Sequence, residues 1–233
     1  GAPDALINLH NVTFGYTPET PIMHHINFTM KPGESVALIG RSGSGKTTLA
    51  RLISGSLTAN TGTITIMGQP IGHGTFPTEP APDGRPKLLI CTQEAHQFVG
   101  TIADNMTVAK PNATEHDINQ ALHAVNATWT NQLPQGIHTL IGKDQHELTR
   151  DQVQQLALAR IVLANPHAVI LDESTTQLEL TDATASLKAV FTNRAVLIIS
   201  HDARIAALAD RFVHLHDGRI VEDTPERLAE STL

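Results

Sequence analysis

The chain has 233 residues, 40% of them hydrophobic, enough for one large domain or two small ones with a substantial core. Its formal charge of −7 excludes a nucleic-acid partner held by bulk electrostatics. The single cysteine, Cys91, excludes an internal disulfide, and no apolar run reaches the roughly 18–20 residues that a membrane-spanning helix needs.

Residues 6–14 alternate, with Leu6, Leu9, Val12 and Phe14 set against Asn8, His10 and Thr13, which reads as a half-exposed strand. Residues 22–30 read likewise, and Lys31-Pro32-Gly33 is a turn. With residues 62–67 they predict an antiparallel sheet. Between the first two strands stands Phe14-Gly15-Tyr16. Tyr16 is either a ring that stacks on a base, a contact worth about 1–3 kcal/mol and indifferent to base identity, or an ordinary strand-end tyrosine.

Next comes an apolar run, Ser35–Ile39, and directly after it Gly40-Arg41-Ser42-Gly43-Ser44-Gly45-Lys46-Thr47-Thr48. This fits G-x-x-x-x-G-K-[ST] between a strand and a helical pattern. Glycines let the loop curl so that successive N–H groups face phosphate oxygens. Lys46 is expected to reach the β- and γ-phosphates and Thr47 to ligand Mg²⁺. A helix from about Gly45 adds its positive dipole end.

Three more runs, Leu88–Cys91, 169–171 and 196–199, are apolar throughout, the pattern of strands buried on both faces. Gln93, Asp172-Glu173 and Ser200-His201 follow them. In an open α/β sheet ligands bind beyond the carboxyl ends of the strands. One edge is therefore expected to gather Lys46, Gln93, Asp172, Glu173 and His201.

Residues 71–87, rich in proline and glycine, read as an irregular loop. From 101 to 165 the pattern is helical. Thr114 caps one helix with Asp117 three residues on, and a second covers 152–164, stopped by Asn165-Pro166. Trp129 reads as packing. Beyond His201 an amphipathic helix (Ile205, Leu208) precedes a hairpin turning at Asp217-Gly218. The 13 histidines are scattered, and His24-His25 and His214-x-His216 lack the ligand cluster of a metal site.

Together these motifs resemble the nucleotide-binding domain of ABC transporters, from about Leu6 to Leu228. Gly40 to Thr48 resembles that family's Walker A motif, Gln93 its Q-loop, residues 169–173 its Walker B motif and Ser200-His201-Asp202 its H-loop. Tyr16 falls where the family places its adenine-stacking aromatic. Thr101-Ile102-Ala103-Asp104-Asn105 and Leu133-Pro134-Gln135-Gly136 resemble exporter-type domains, which are fused behind a transmembrane half. The resemblance implies an α/β fold: a P-loop NTPase core with a mainly parallel sheet, an antiparallel β subdomain and a helical insertion. Residues 1–93 and 166–233 would form the core and β subdomain, and 94–165 the helical subdomain.

The mechanism it implies is hydrolysis of ATP with Mg²⁺ held by Thr47, Asp172 and Gln93. Glu173 would be the general base, and His201 would hold it and the water in line. One motif departs. The family's L-S-G-G-Q appears as Leu148-Thr149-Arg150-Asp151-Gln152, where Thr149 keeps a hydroxyl and Asp151 either meets phosphate or caps the helix. Lys143 and Glu179 depart from the pattern too. The expected partners are a transmembrane domain, fused or separate, and a second, non-identical ATPase domain, at the cytoplasmic face of a membrane. Two other classes stand beside this one: a soluble ABC-type ATPase, disfavoured by the exporter-like stretch, and an interaction module with little turnover, disfavoured by Glu173 and His201.

Overall fold

The computed structural model describes residues 4–17, 19–72, 74–77, 79–91, 98–172, 183–200 and 203–224. In chain order its elements begin with β1 (Ile7–Phe14), β2 (Met23–Met30), β3 (Ser35–Ile39), α1 (Lys46–Ile53), β4 (Thr61–Ile66), β5 (Gln69–Pro70) and β6 (Leu88–Cys91). Next are β7 (Gly100–Thr101), α2 (Ile102–Thr107), α3 (Glu115–Ala124), β8 (Leu140–Ile141) and α4 (Arg150–Ala164). The last are β9 (Ala168–Asp172), α5 (Ala183–Phe191), β10 (Ala195–Ile199), α6 (Ala203–Ala206), β11 (Arg211–His216) and β12 (Arg219–Thr224). They fall into two compact units.

The first unit comprises Gly1–Ile90, His167–Glu173 and Asn193–Leu233. It holds an antiparallel sheet ordered β2-β1-β4-β5, where Ile7 stands opposite both Met30 and Ile66. All three side chains are buried, because the period-two alternation puts every second residue on one face. A second, six-stranded sheet is ordered β12-β11-β3-β10-β9-β6. In it β3 runs parallel to both β10 and β11, and β10 parallel to β9, while β12 returns antiparallel. Strand β10 is buried at every position, which is why its sequence shows no alternation. Helix α1 buries Leu49, Leu52 and Ile53 completely.

Arg211 closes this unit at β11. Its guanidinium grips the Asp223 carboxylate through two bonds of 2.6 Å and donates to Thr29 O at 2.8 Å and Glu34 Oε1 at 3.1 Å. Those bonds hold its proton above the ordinary arginine value.

The second unit comprises Cys91–Pro166 and Ser174–Thr192. Among its described residues it is mostly helical, with a two-residue pairing of β7 and β8. Three helices open on a reciprocal cap in which a threonine hydroxyl and the side chain three residues later each satisfy the other's backbone N–H: Thr101 with Asp104, Thr114 with Asp117, and Thr149 with Gln152.

Four expectations are modified. Helix α5 groups with the helical unit rather than with the core, since Ser186, fully buried, donates to Val125 O at 2.6 Å and α5 packs on α4. Helix α4 starts two residues early, because Thr149 caps it and Asp151 does not. Residues 71–86 carry two short bridges, Gly72 with Thr75 and Pro80 with Pro86, around a buried Ala81. The helix after residue 202 is only four residues long.

Candidate functional site

The phosphate-loop sequence connects β3 to α1. The helix can start at Lys46 only if the chain reverses sharply before it, and Gly45 does this at φ 103°, a left-handed value that side chains resist. Ser44 N donates to Arg41 O at 3.0 Å, and Gly218 N donates to Ser44 O at 3.1 Å, so the turn after β11 props the loop. Ser44 and Lys46 are buried, whereas Arg41, Ser42, Gly43 and Thr47 are exposed. The Lys46 ammonium turns back into the loop, donating to Gly40 O and to Arg41 O at 2.9 Å. A buried ammonium needs acceptors, and these two loop carbonyls, with Ser44 Oγ at 3.4 Å, are among them.

Sheet register decides which strand ends share this edge. Leu38 stands beside Ile199, and Ile199 beside Asp172, so the Asp172 carboxylate lies at the end of the strand two places from the loop. Asp172 is half-buried, and Ser200, at the end of β10, is buried. The donor set suits a magnesium polyphosphate. Asp172 and Thr47 offer hard oxygens of the kind Mg²⁺ takes, and the carbonyl partners of Lys46 are weaker acceptors than phosphate oxygens. Among the described residues no group of three or more His, Cys, Asp or Glu could hold a metal.

Tyr16 lies in the same unit at the tip of the β1–β2 connection, 63% exposed. Its ring meets Phe14 edge-on at 5.1 Å. Gln93, Glu173 and His201 lie outside the described residues. So does Glu179.

The residues 148–152 belong to the helical unit. Thr149 Oγ1 accepts from Gln152 N at 3.2 Å, and Gln152 Oε1 accepts from Thr149 N at 2.9 Å. Arg150 and Asp151 are exposed on the first turn of α4. Trp129 donates its indole N–H to Gln155 Oε1 at 2.8 Å. Two amides escape sequence reasoning. Asn105, fully buried, holds the backbone at Phe98, and Arg160 donates to Asn105 Oδ1 at 3.0 Å, while burial pulls the Arg160 guanidinium below its ordinary value. Asn60 holds Gly15. Neither position carries a spacing pattern, because each partner is fixed by tertiary contact.

The family model described as "ABC transporter" matches residues 23–176. The ATP-dependent lipid A-core flippase of Chromobacterium violaceum is 34% identical over 216 residues, covering 91% of this chain and 36% of that protein. The mitochondrial iron-sulfur clusters transporter ATM1 of Candida albicans is 32% identical over 224 residues, covering 93% of this chain and 29% of that protein. Among solved structures, a bacterial Atm1-family ABC exporter with ATP bound superposes with a TM-score of 0.78 at 27% identity, over 97% of this chain and 39% of that one. The chain thus spans roughly a third of the length of such relatives. Among the described residues no helix is long and apolar enough to cross a membrane. With the phosphate loop, the Asp172 strand end and the sheet order already in place, these matches identify the chain as a member of the ABC transporter family, carrying that family's ATPase domain.

Proposed function

We propose that this chain is the ATP-hydrolysing motor domain of an exporter-type ABC transporter, held at the cytoplasmic face of a membrane by a transmembrane domain. The observation that carries the reading is the single sheet edge where the phosphate loop, Asp172 and the end of β10 are set by register. The exporters among its relatives support the coupling to transport.

In this reading the residues 40–48 wrap the phosphates of ATP, with Lys46 exchanging loop carbonyls for β- and γ-phosphate oxygens. Tyr16 stacks on the adenine. Thr47, Asp172 and Gln93 hold Mg²⁺, which when bound with ATP neutralises charge between the β- and γ-phosphates. Glu173 takes the proton of the attacking water, and His201 keeps carboxylate and water in line. The two compact units serve as nucleotide-binding core and helical subdomain.

We assign the second ATPase domain to a different chain. Thr149-Arg150-Asp151 departs from the pattern with which one domain of a pair closes over the other's nucleotide. Arg150 and Asp151 are both exposed at the start of α4, and a carboxylate about 5 Å from phosphate costs roughly 3 kcal/mol per unit charge at an effective dielectric near 20. An unlike partner with an unaltered motif would complete one competent site over this chain's Walker residues. The site closed by Arg150-Asp151 would bind ATP with little turnover.

The test is ATPase activity and nucleotide retention of the chain alone and with its candidate partner. Loss of ATP binding on Lys46→Ala and of turnover on Asp172→Asn is expected. If the unaltered chain alone dimerises with ATP and hydrolyses it as fast as the paired complex, the unlike-pair reading fails.

A further inference from the structure

The turn that presents Tyr16 is tight. Ile22 N donates to Phe14 O at 2.6 Å, Thr20 N donates to Thr17 O at 3.2 Å, and the hydroxyls of Thr17 and Thr20 bond each other. Gly15 is required there. A Cβ on it would fall 2.5 Å from Thr20 O and 2.9 Å from Thr17 O. These contacts close the turn onto β1 and β2 alone and leave the Gly15 N–H to be met from elsewhere. Asn60, immediately before β4 and about 45 residues along the chain, meets this segment with two groups. Its Oδ1 accepts from Gly15 N at 2.6 Å, and its backbone N donates to Thr13 O at 2.9 Å. Together they bracket the residues leading into Tyr16.

We infer that Asn60 is a positioning residue for nucleotide recognition: it fixes the backbone at Gly15 so that the Tyr16 ring stands ready for the base. The inference rests on the reading of Tyr16 as the adenine-stacking residue. An exposed ring on a loose turn would have to be ordered at the moment of binding, and a preset ring avoids that entropic loss. Phe14 restricts the ring from one side, and Asn60 restricts the backbone beneath it. Asn60 touches none of the residues 40–48 through the bonds described, so its effect falls on the base and not on the phosphates.

The chain has one tyrosine and one tryptophan, so in a Trp129→Phe background Tyr16 is the sole intrinsic fluorophore of its kind. Affinities for ATP and for inorganic tripolyphosphate are measured in that background for Asn60→Ala, Asn60→Asp, Tyr16→Ala and the double variant Asn60→Ala/Tyr16→Ala, with Tyr16 anisotropy for the two Asn60 single variants that keep the ring. Asn60→Ala is expected to weaken ATP about fivefold, the share of one lost hydrogen bond, to lower the anisotropy, and to leave tripolyphosphate unchanged. Asn60→Asp keeps the acceptor and restores ATP affinity. The double variant binds ATP no more weakly than Tyr16→Ala alone. Equal losses for ATP and tripolyphosphate, or additive losses in the double variant, overturn the assignment and leave Asn60 a general structural residue. If Tyr16→Ala weakens ATP but Asn60→Ala does not, the role of Asn60 fails and that of Tyr16 stands. If Tyr16→Ala itself leaves ATP affinity unchanged, the stacking reading falls and takes this one with it.

Discussion

Asn105→Ala is the substitution whose cost the structure sets most directly. The Asn105 side chain is fully buried and uses both ends. Oδ1 accepts from Phe98 N at 2.8 Å and from Arg160 Nη2 at 3.0 Å, and Nδ2 donates at 2.9 Å to both Phe98 O and Thr101 O. A neutral hydrogen bond is worth about 1 kcal/mol net and one to a charged group about 1.5–3, which gives roughly 4–6 kcal/mol for the set. The partners are only part-buried, so water admitted to them returns some of this, and the expected loss is about 3–5 kcal/mol. That is a large share of the roughly 5–15 kcal/mol that holds a domain folded. Asn105→Asp should fall between. It keeps the acceptor and strengthens the bond to Arg160 but sets an oxygen against the two carbonyls, so its deficit should shrink on acidification, when one carboxyl oxygen regains a proton to donate. Urea unfolding followed by Trp129 fluorescence reports on the correct unit, because the sole tryptophan is bonded to Gln155 there. A loss below about 1 kcal/mol for Asn105→Ala with an unchanged denaturant slope would refute the reasoning.

Glu173→Gln should abolish hydrolysis while ATP stays bound, since it removes the base and leaves the phosphate contacts; most of the wild-type turnover surviving in a paired complex would sink that assignment. Hydrogen bonds from Thr114 hold the Asp117 carboxyl below its ordinary value of 3.8. Its contribution is therefore complete above that value and disappears as pH falls through the lowered one. The stability gap between wild type and Asp117→Asn should accordingly close on acidification, and a gap that stays constant or widens contradicts the charge-assisted cap. Replacing Arg150-Asp151 by Gly-Gly should lower the thermal stability of the helical unit, through weaker helix propensity of about 1 kcal/mol per glycine and a lost first-turn acid. The same change should raise turnover in the paired complex, and unchanged turnover would show that these side chains do not obstruct the second nucleotide.

Strands buried on both faces were legible to within a residue inside the sheet, because an uninterrupted apolar run has few other uses: Ser35–Ile39 forms as read, and 169–171 and 196–199 extend by one or two. Leu88–Cys91 forms over the residues read, but as the edge strand of its sheet it buries only Leu88 and exposes Ile90, so the expected burial on both faces fails there. The cap at Thr114 was equally plain, since its logic is local. What sequence reading missed depends on distant partners. Residues 212–215 read as half of a hairpin, yet β11 also lies parallel to β3, a pairing across the whole chain that no local pattern encodes. The register that aligns Asp172 with the phosphate loop follows from strand order, and runs of apolar residues do not reveal order. Helix α5 follows the β9 strand in sequence but joins the helical unit through the buried hydroxyl of Ser186. The cap on α4 was left open, with Asp151 read as either a cap or a phosphate neighbour, because Thr149 and Asp151 are both good capping residues two positions apart, and the reciprocal glutamine decides for Thr149.

The strand order also sets a timetable for synthesis. Strand β3, which carries the phosphate loop, has β10 and β11 as its two neighbours, and they emerge from the ribosome about 160 and about 175 residues later, the kind of long closure that slows folding. Helices α2, α3 and α4 lie close together in sequence and can pack long before then. For most of its translation, then, the nascent chain carries an apolar strand with both edges unpaired, the condition in which chains aggregate or recruit chaperones. A truncation that removes β11 but keeps β10 leaves one edge of β3 permanently unpaired.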